Sequence, residues 1–383
     1  MSGGPWRLLL ERITAMSRRL KTLLIVVLAI LMVTSGALFV FSATRPSAAY
    51  DPSKVNLDVK LLTRNEILTC AYKVYGDNNQ NMWVAKTIIK NVGKMPARNF
   101  KISYKVGDLT DWNSGETYTE IRPGQTVRDY CWPPLDPTKV EAITTKTPVE
   151  LTVRYEYDGL KEAQEESAKL FLLGKNDFVF TSLKEADCLT FADTFDNYRF
   201  IAAFITPNEE TTKAFANAAA GGLETRASDD DAIAAFESAF EALRSHGVKY
   251  IMEPSGFWTG GFSQYVQYPK ETIERNSGTC LDLAITLSAM MEAVGVKSYV
   301  ALIPGHAIPM IETPQSGDTY AIEATFLDKD YALAKHGDAV SPDVTASECI
   351  SLAKKEIEKA QDDGTIVFIN PEYWWKAGVM PSW

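Results

Sequence analysis

Leu281–Val294, reading LDLAITLSAMMEAV, is apolar on almost every face. A helix of this kind has no stripe to offer to water, so other elements must cover it all round. The chain around it therefore has to build a layered domain with this helix at its centre. The helix start is marked by Ser277-Gly278-Thr279, with Ser277 or Thr279 as the cap, and its first turn carries Cys280. Positive partial charge at a helix start stabilises a thiolate, and unpaired backbone N–H groups there can stabilise an oxyanion.

Gly295 ends the run, Ser298–Ile303 reads as a buried strand, and Pro304-Gly305 breaks into a second strand, His306–Glu312. A loop over Gln315–Asp318 leads to a third, Thr319–Phe326. The order is helix, strand, strand, strand, with Cys280, His306 and Glu323 entering in turn. In an antiparallel arrangement, His306 and Glu323 fall on neighbouring strands, where a carboxylate can orient an imidazole. An imidazole beside a thiol then supplies the ion pair that acyl transfer needs. Taken singly, each residue has a plainer reading. A buried cysteine is a small hydrophobe, a lone histidine is commonly a satisfied structural residue, and a strand glutamate is commonly surface. Only the series promotes them. His246 and His336 stand in polar, helix-like contexts and read as solvated. No further ligand lies near Cys280, His306 and Glu323 in sequence, so neither a metal nor a cofactor is implied.

Gly278-Thr279-Cys280-Leu281-Asp282-Leu283-Ala284, Gly305-His306-Ala307 and Ile322-Glu323 resemble the transglutaminase-like superfamily of papain-related cysteine enzymes. The resemblance implies Cys280 as nucleophile, His306 as general base and acid, Glu323 as orienting carboxylate and Asp282 as a structural partner near the helix start. It implies attack of the thiolate on a peptide or protein amide carbonyl and a thioester resolved by water or an amine, as in a protease, deamidase or transamidase. The family often has an aspartate as third member and an aromatic soon after the histidine, where this chain has Glu323 and Ala307-Ile308. Trp258, Gln264 and Gln267 are candidates for a second oxyanion donor. The competing expectation is a non-catalytic cell-surface scaffold that binds peptides.

Upstream, Val55–Tyr157 reads as short strands such as WVAKTII, FKISYKV and VELTVRYEY between turn signals. The rhythm predicts an antiparallel β-sandwich, and Asn91–Ala97 resembles immunoglobulin-like modules of bacterial and archaeal cell-surface proteins. Gly159–Lys175 reads as helix or linker, and from Asp177 the texture turns to mixed helix and strand. The tail from Tyr373-Trp374-Trp375 to Trp383 reads as packing against the domain.

At the other end, Leu23–Ala43 carries no charge and is long enough for a helix of ~30 Å. Arg7, Arg12, Arg18, Arg19 and Lys21 precede it against one acid, Glu11, which predicts a cytoplasmic N-terminus. The expected fold class is thus α+β: a basic leader over 1–21, a transmembrane helix over 22–43, an immunoglobulin-like β-sandwich over 55–157, and a transglutaminase-like domain over 177–383 with a central helix packed on an antiparallel sheet. Both large domains are expected outside the cell membrane, with peptide or protein substrates at the cell surface. A net charge of −10 argues against a nucleic-acid partner. Five cysteines in an exported chain predict the disulfides Cys70–Cys131 and Cys188–Cys349, with Cys280 left free.

Overall fold

Two-residue periodicity builds the first layer of the fold. The computed structural model describes residues 22–23, 26–27, 30, 32, 49–76, 82–252, 263–336 and 343–383, with the side chains of Glu185 and His336 excepted. The strands β1 (Leu57–Thr63), β2 (Glu66–Ile67), β3 (Ala85–Asn91), β4 (Ala97–Val106), β5 (Asn113–Ile121), β6 (Thr126–Cys131), β7 (Thr147–Glu156) and β8 (Gln164–Leu172) form two sheets, ordered β1-β3-β6 and β2-β8-β7-β4-β5. Ala85, Thr87 and Ile89 of β3 are buried at alternate positions, as are Phe100, Ile102, Tyr104 and Val106 of β4. Alternation of this kind gives each strand one apolar face, and a sheet so made must bury it against another. The Tyr104 hydroxyl donates to Thr87 Oγ1 at 2.9 Å, which satisfies two polar groups inside the core.

The sandwich runs beyond the expected end at Tyr157. Residues 159–175, expected as helix or linker, contain β8, paired antiparallel with β7 from Gln164↔Tyr155 to Leu172↔Thr147. Its first half is charged on both faces, which hides the period; only Leu170 and Leu172 are fully buried.

The second layer follows from helical and strand periodicities together. It contains β9 (Asp177–Phe178), the helices α2 (Glu210–Ala220) and α3 (Asp229–His246), β10 (Lys249–Tyr250), β11 (Gln264–Tyr265), α4 (Pro269–Arg275), β12 (Ser277–Gly278) and α5 (Cys280–Ala293); the short α1 (Pro137–Glu141) belongs to the sandwich. The strands β13 (Lys297–Ile303), β14 (His306–Glu312) and β15 (Thr319–Ala321) follow, then α6 (Lys329–His336), α7 (Ala346–Asp362), β16 (Val367–Ile369) and α8 (Pro371–Lys376). β15, β14, β13 and β16 make one antiparallel sheet in that order. Its two faces are used differently. Val300, Leu302 and Ala307 pack with Leu281, Ala284, Ile285 and Ala289 of α5, while Ala301, Ile303, Ile308 and Met310 pack with Ala353, Ile357 and Ala360 of α7. Ten apolar or small side chains of α5 and its Asp282 are buried, which leaves this helix enclosed between the sheet and α2–α4.

Residues from Pro52 onward form a single compact unit. The chain's last residues lie at the seam between its layers. Ser382 Oγ donates to the Cys70 carbonyl, Tyr72 Oη donates to the Ser382 carbonyl at 3.1 Å, and the Trp383 ring lies 5.3 Å from that of Tyr72 and 6.1 Å from that of Tyr268. Trp375 Nε1 donates to the Ala202 carbonyl at 3.0 Å. The aromatic tail is packing, and it joins the sandwich to the second layer.

Two expectations are corrected. A membrane span requires a continuous apolar helix of about 20 residues, and among the described residues no helix is long and apolar enough to cross a membrane. Of the stretch 22–43 only Thr22, Leu23, Val26, Val27, Ile30 and Met32 are described, all helical; the remainder and the basic leader lie outside the described residues. The transmembrane helix, the single-pass topology and the cell-membrane location that rested on it are withdrawn. Neither expected disulfide is present either: Cys70, Cys131 and Cys349 are buried free thiols. Burial pushes all three thiols up, as it does for a cysteine used as a small hydrophobe.

Candidate active site

The start of α5 is set by a reciprocal cap. Thr279 Oγ1 accepts from the Asp282 N–H at 3.3 Å, and Asp282 Oδ2 accepts from the Thr279 N–H at 2.9 Å. Cys280 is thereby fixed as the first residue of a fourteen-residue helix, half-buried. The cap takes up the Asp282 N–H, and the Leu283 N–H goes to the Thr279 carbonyl at 3.0 Å. The N–H groups of Cys280 and Leu281 have no acceptor within the helix.

Asp282 also anchors the approach to the helix. Only 1% exposed, it accepts from the Gln267 backbone N–H at 2.8 Å and from Gln267 Nε2 at 3.1 Å. Burial pushes its carboxyl up against those bonds, which favour the charged form. Asp282→Ala leaves the Gln267 and Thr279 backbone N–H groups without an acceptor and removes half of the reciprocal cap, while Gln267 Nε2 keeps the Ser277 carbonyl. We expect it to lower unfolding free energy by about 3 kcal/mol, read as a fall in the urea midpoint at constant slope.

His306 opens β14 after the two-residue turn Pro304-Gly305, where Gly305 has φ 71°, a conformation that suits glycine. Its Nε2–H donates to Glu323 Oε2 at 2.8 Å. The other oxygen, Oε1, accepts from the Thr325 N–H at 3.1 Å and from the Thr325 hydroxyl. The Cys280 thiol is hydrogen-bonded to the same imidazole and is one of the causes that raise its pKa. The three residues picked out by sequence are brought together in the order thiol, imidazole, carboxylate. Glu323 does not stand on a strand beside His306, however. It lies two residues past β15, whose last rung is Met310↔Ala321, and heads a short turn over Ala324–Leu327.

Burial alone would lower the His306 pKa and raise that of Glu323. For His306 the neighbouring Glu323 charge and the bonds to Cys280 and Glu323 outweigh burial and hold it well above the ordinary 6.5. For Glu323 the His306 charge and the bonds from His306 and Thr325 outweigh burial and hold it at about 2. The pair is therefore charged on both sides at neutral pH, with side-chain exposures of 13% and 1%.

Of the candidate oxyanion donors, Trp258 lies outside the described residues. Gln267 is committed elsewhere, with Nε2 on the Ser277 carbonyl at 3.0 Å and on Asp282, and Oε1 accepting from Arg275 at 3.3 Å. Gln264, 7% exposed in β11, has a side-chain Oε1 with no hydrogen-bond partner among the described residues.

Several residues that line the site carry no signal in the sequence. Tyr250 of β10 is paired with Gly278 in a parallel rung, two residues before Cys280. Its hydroxyl pKa is raised by burial, then by the nearness of Cys280 and Tyr331 and by Glu323. Tyr250, Tyr331, Lys335 and Glu356 share with His306 the wall of a cleft of about 430 Å³. Glu356 comes from α7, and its ligating atom and those of His306 and Glu323 all lie within 4.8 Å of one another. This distant helix thus brings a second carboxylate close to His306 and Glu323.

No family model and no curated protein matches this chain. Among solved structures, a FixG-related protein from Vibrio parahaemolyticus is similar at 13% identity over 32% of this chain and 98% of that one, with a TM-score of 0.22. AvmM, which catalyses macrocyclization in alchivemycin A biosynthesis, is similar at 11% identity over 30% and 88%, with a TM-score of 0.16. A candidate protease from Parabacteroides distasonis ATCC 8503 is similar at 9% identity over 63% and 66%, with a TM-score of 0.22. Likenesses this slight carry no argument about the present chain.

Proposed function

We propose that residues 177–383 form a transglutaminase-like cysteine enzyme acting on peptide or protein amide bonds. The observation that carries the reading is the single imidazole of His306, bonded on one side to a thiol at a helix start and on the other to a buried carboxylate. In the proposed reaction the Cys280 sulfur attacks the amide carbonyl carbon and the carbonyl electron pair moves onto oxygen. The N–H groups of Cys280 and Leu281, without an acceptor in the helix, are the donors offered to that oxyanion. As the tetrahedral species collapses, the C–N bond breaks and His306 gives its proton to the departing amine. A water or a second amine, relieved of a proton by His306, then attacks the thioester, and Cys280 is released. Glu323 keeps the imidazole in one orientation and balances its charge throughout.

A peptide carrying a thiol-directed electrophile tests this directly. Cys280 is expected to be labelled ahead of Cys188, the other half-buried cysteine, and a poor amide substrate should leave an acyl group on the same peptide by mass mapping. Labelling of Cys280 and Cys188 at matching rates, with no acyl adduct, would overturn the proposal in favour of a peptide-binding scaffold.

A further inference from the structure

We infer that His306, Glu323 and Glu356 form a site for one divalent cation of the zinc class. An imidazole nitrogen and two carboxylate oxygens are the ligand types zinc takes, and three protein ligands leave a fourth position for water or substrate. They come from three separate elements: the first residue of β14, the turn beyond β15, and the middle of α7. The fold therefore assembles the set in advance. Ligands at about 2.1 Å from a tetrahedral ion stand about 3.4 Å from one another. The three ligand atoms lie within 4.8 Å of one another, and the His306 Nε2–Glu323 Oε2 pair, 2.8 Å apart, opens slightly as an ion displaces the proton between them. Glu323 is buried while Glu356 and the partly buried His306 line the 430 Å³ cleft, which gives an ion a way in. The two carboxylates match the dication in charge. Lys335 and Lys359 line the same cleft and oppose a cation, which holds the affinity below that of a bare carboxylate pair.

The consequence for the thiol rests on the proposed cysteine chemistry, whereas the site itself does not. A cation that takes the imidazole lone pair and Glu323 leaves Cys280 with neither proton acceptor nor orienting carboxylate. Glu356 stands outside the thiol–imidazole–carboxylate series, so its substitution tests the ion site directly.

The test is calorimetric titration of the full chain with Zn²⁺, with iodoacetamide labelling of Cys280 followed in parallel. The intact chain is expected to bind one ion per chain. Glu356→Gln should weaken that binding at least about tenfold, since loss even of an outer partner of a metal ligand costs that much. Cys280→Ser should bind as the parent does. Zinc should slow labelling in the parent chain, and Glu356→Gln should need correspondingly more zinc for the same fractional slowing, each chain being compared with its own zinc-free rate. Equal affinity in the parent and Glu356→Gln would overturn the site, as would loss of binding in Cys280→Ser with retention in Glu356→Gln, which places the ion on the thiol and imidazole. Should Cys280 prove sluggish without zinc while binding still depends on Glu356, the enzyme reading fails and the metal site stands.

Discussion

Cys280→Ala is expected to reduce amide turnover by a factor on the order of 10⁵–10⁶, the scale seen when a covalent nucleophile is removed from a working triad. The fold should survive. The thiol sits at the half-buried first position of α5, and the cap that starts the helix is made by Thr279 and Asp282, not by Cys280. Removing one small group there should change unfolding free energy by no more than about 1 kcal/mol. Cys280→Ser sharpens the result, because a hydroxyl fills the same space and can keep the bond to His306 yet does not ionise near neutral pH. If packing were the thiol's role, serine would behave like the parent. Under the proposed mechanism, serine is nearly as inactive as alanine. Turnover is to be measured against a pooled peptide-amide library with ammonia and new amines as readouts. Full activity in Cys280→Ala would remove Cys280 from the chemistry altogether.

Local signals carried the parts of this site that a sequence can show. A Thr-x-x-Asp box is closed within one turn, so the start of α5 at Cys280 could be read without knowing what lies around it. The all-round apolar run of α5 likewise foretold burial, and Pro304-Gly305 foretold the turn that presents His306. Tyr250 and Glu356 were invisible for the opposite reason. Each reaches His306 only through the packing of elements distant in sequence, and Glu356 sits in a run, KKEIEKAQDD, that reads as a solvated helix face. β8 was misread because its charged first half shows no alternation. The disulfide expectation counted cysteines on the assumption of export, whereas Cys70 and Cys131 serve as small apolar groups within the core. Hydropathy of residues 23–43 gave length without context, and among the described residues that run does not make a spanning helix.

Glu323→Gln should act on rate and on pH dependence together. The amide keeps the shape and can still meet Thr325, but it carries no charge for His306. Without a properly held and compensated imidazole, general acid–base help is lost, an expected fall of about 10²–10⁴-fold in kcat. The charge of Glu323 is one of the causes that raise His306 well above its ordinary value, so the alkaline limb of kcat/KM should move to lower pH in the variant. Stability must follow the same linkage. Glu323 has a folded value depressed from 4.5 to about 2, so its contribution is whole above 4.5 and is lost as pH falls towards about 2. His306 has a folded value raised above 6.5, so its contribution is whole below 6.5 and is lost as pH rises through the folded value. The ion pair therefore contributes in full only between 4.5 and 6.5. The difference in unfolding free energy between the parent and Glu323→Gln should be greatest in that window and shrink on both sides. A difference that stays flat across the whole range, with superimposable pH–rate profiles, would mean that Glu323 holds the fold alone and does nothing for the imidazole.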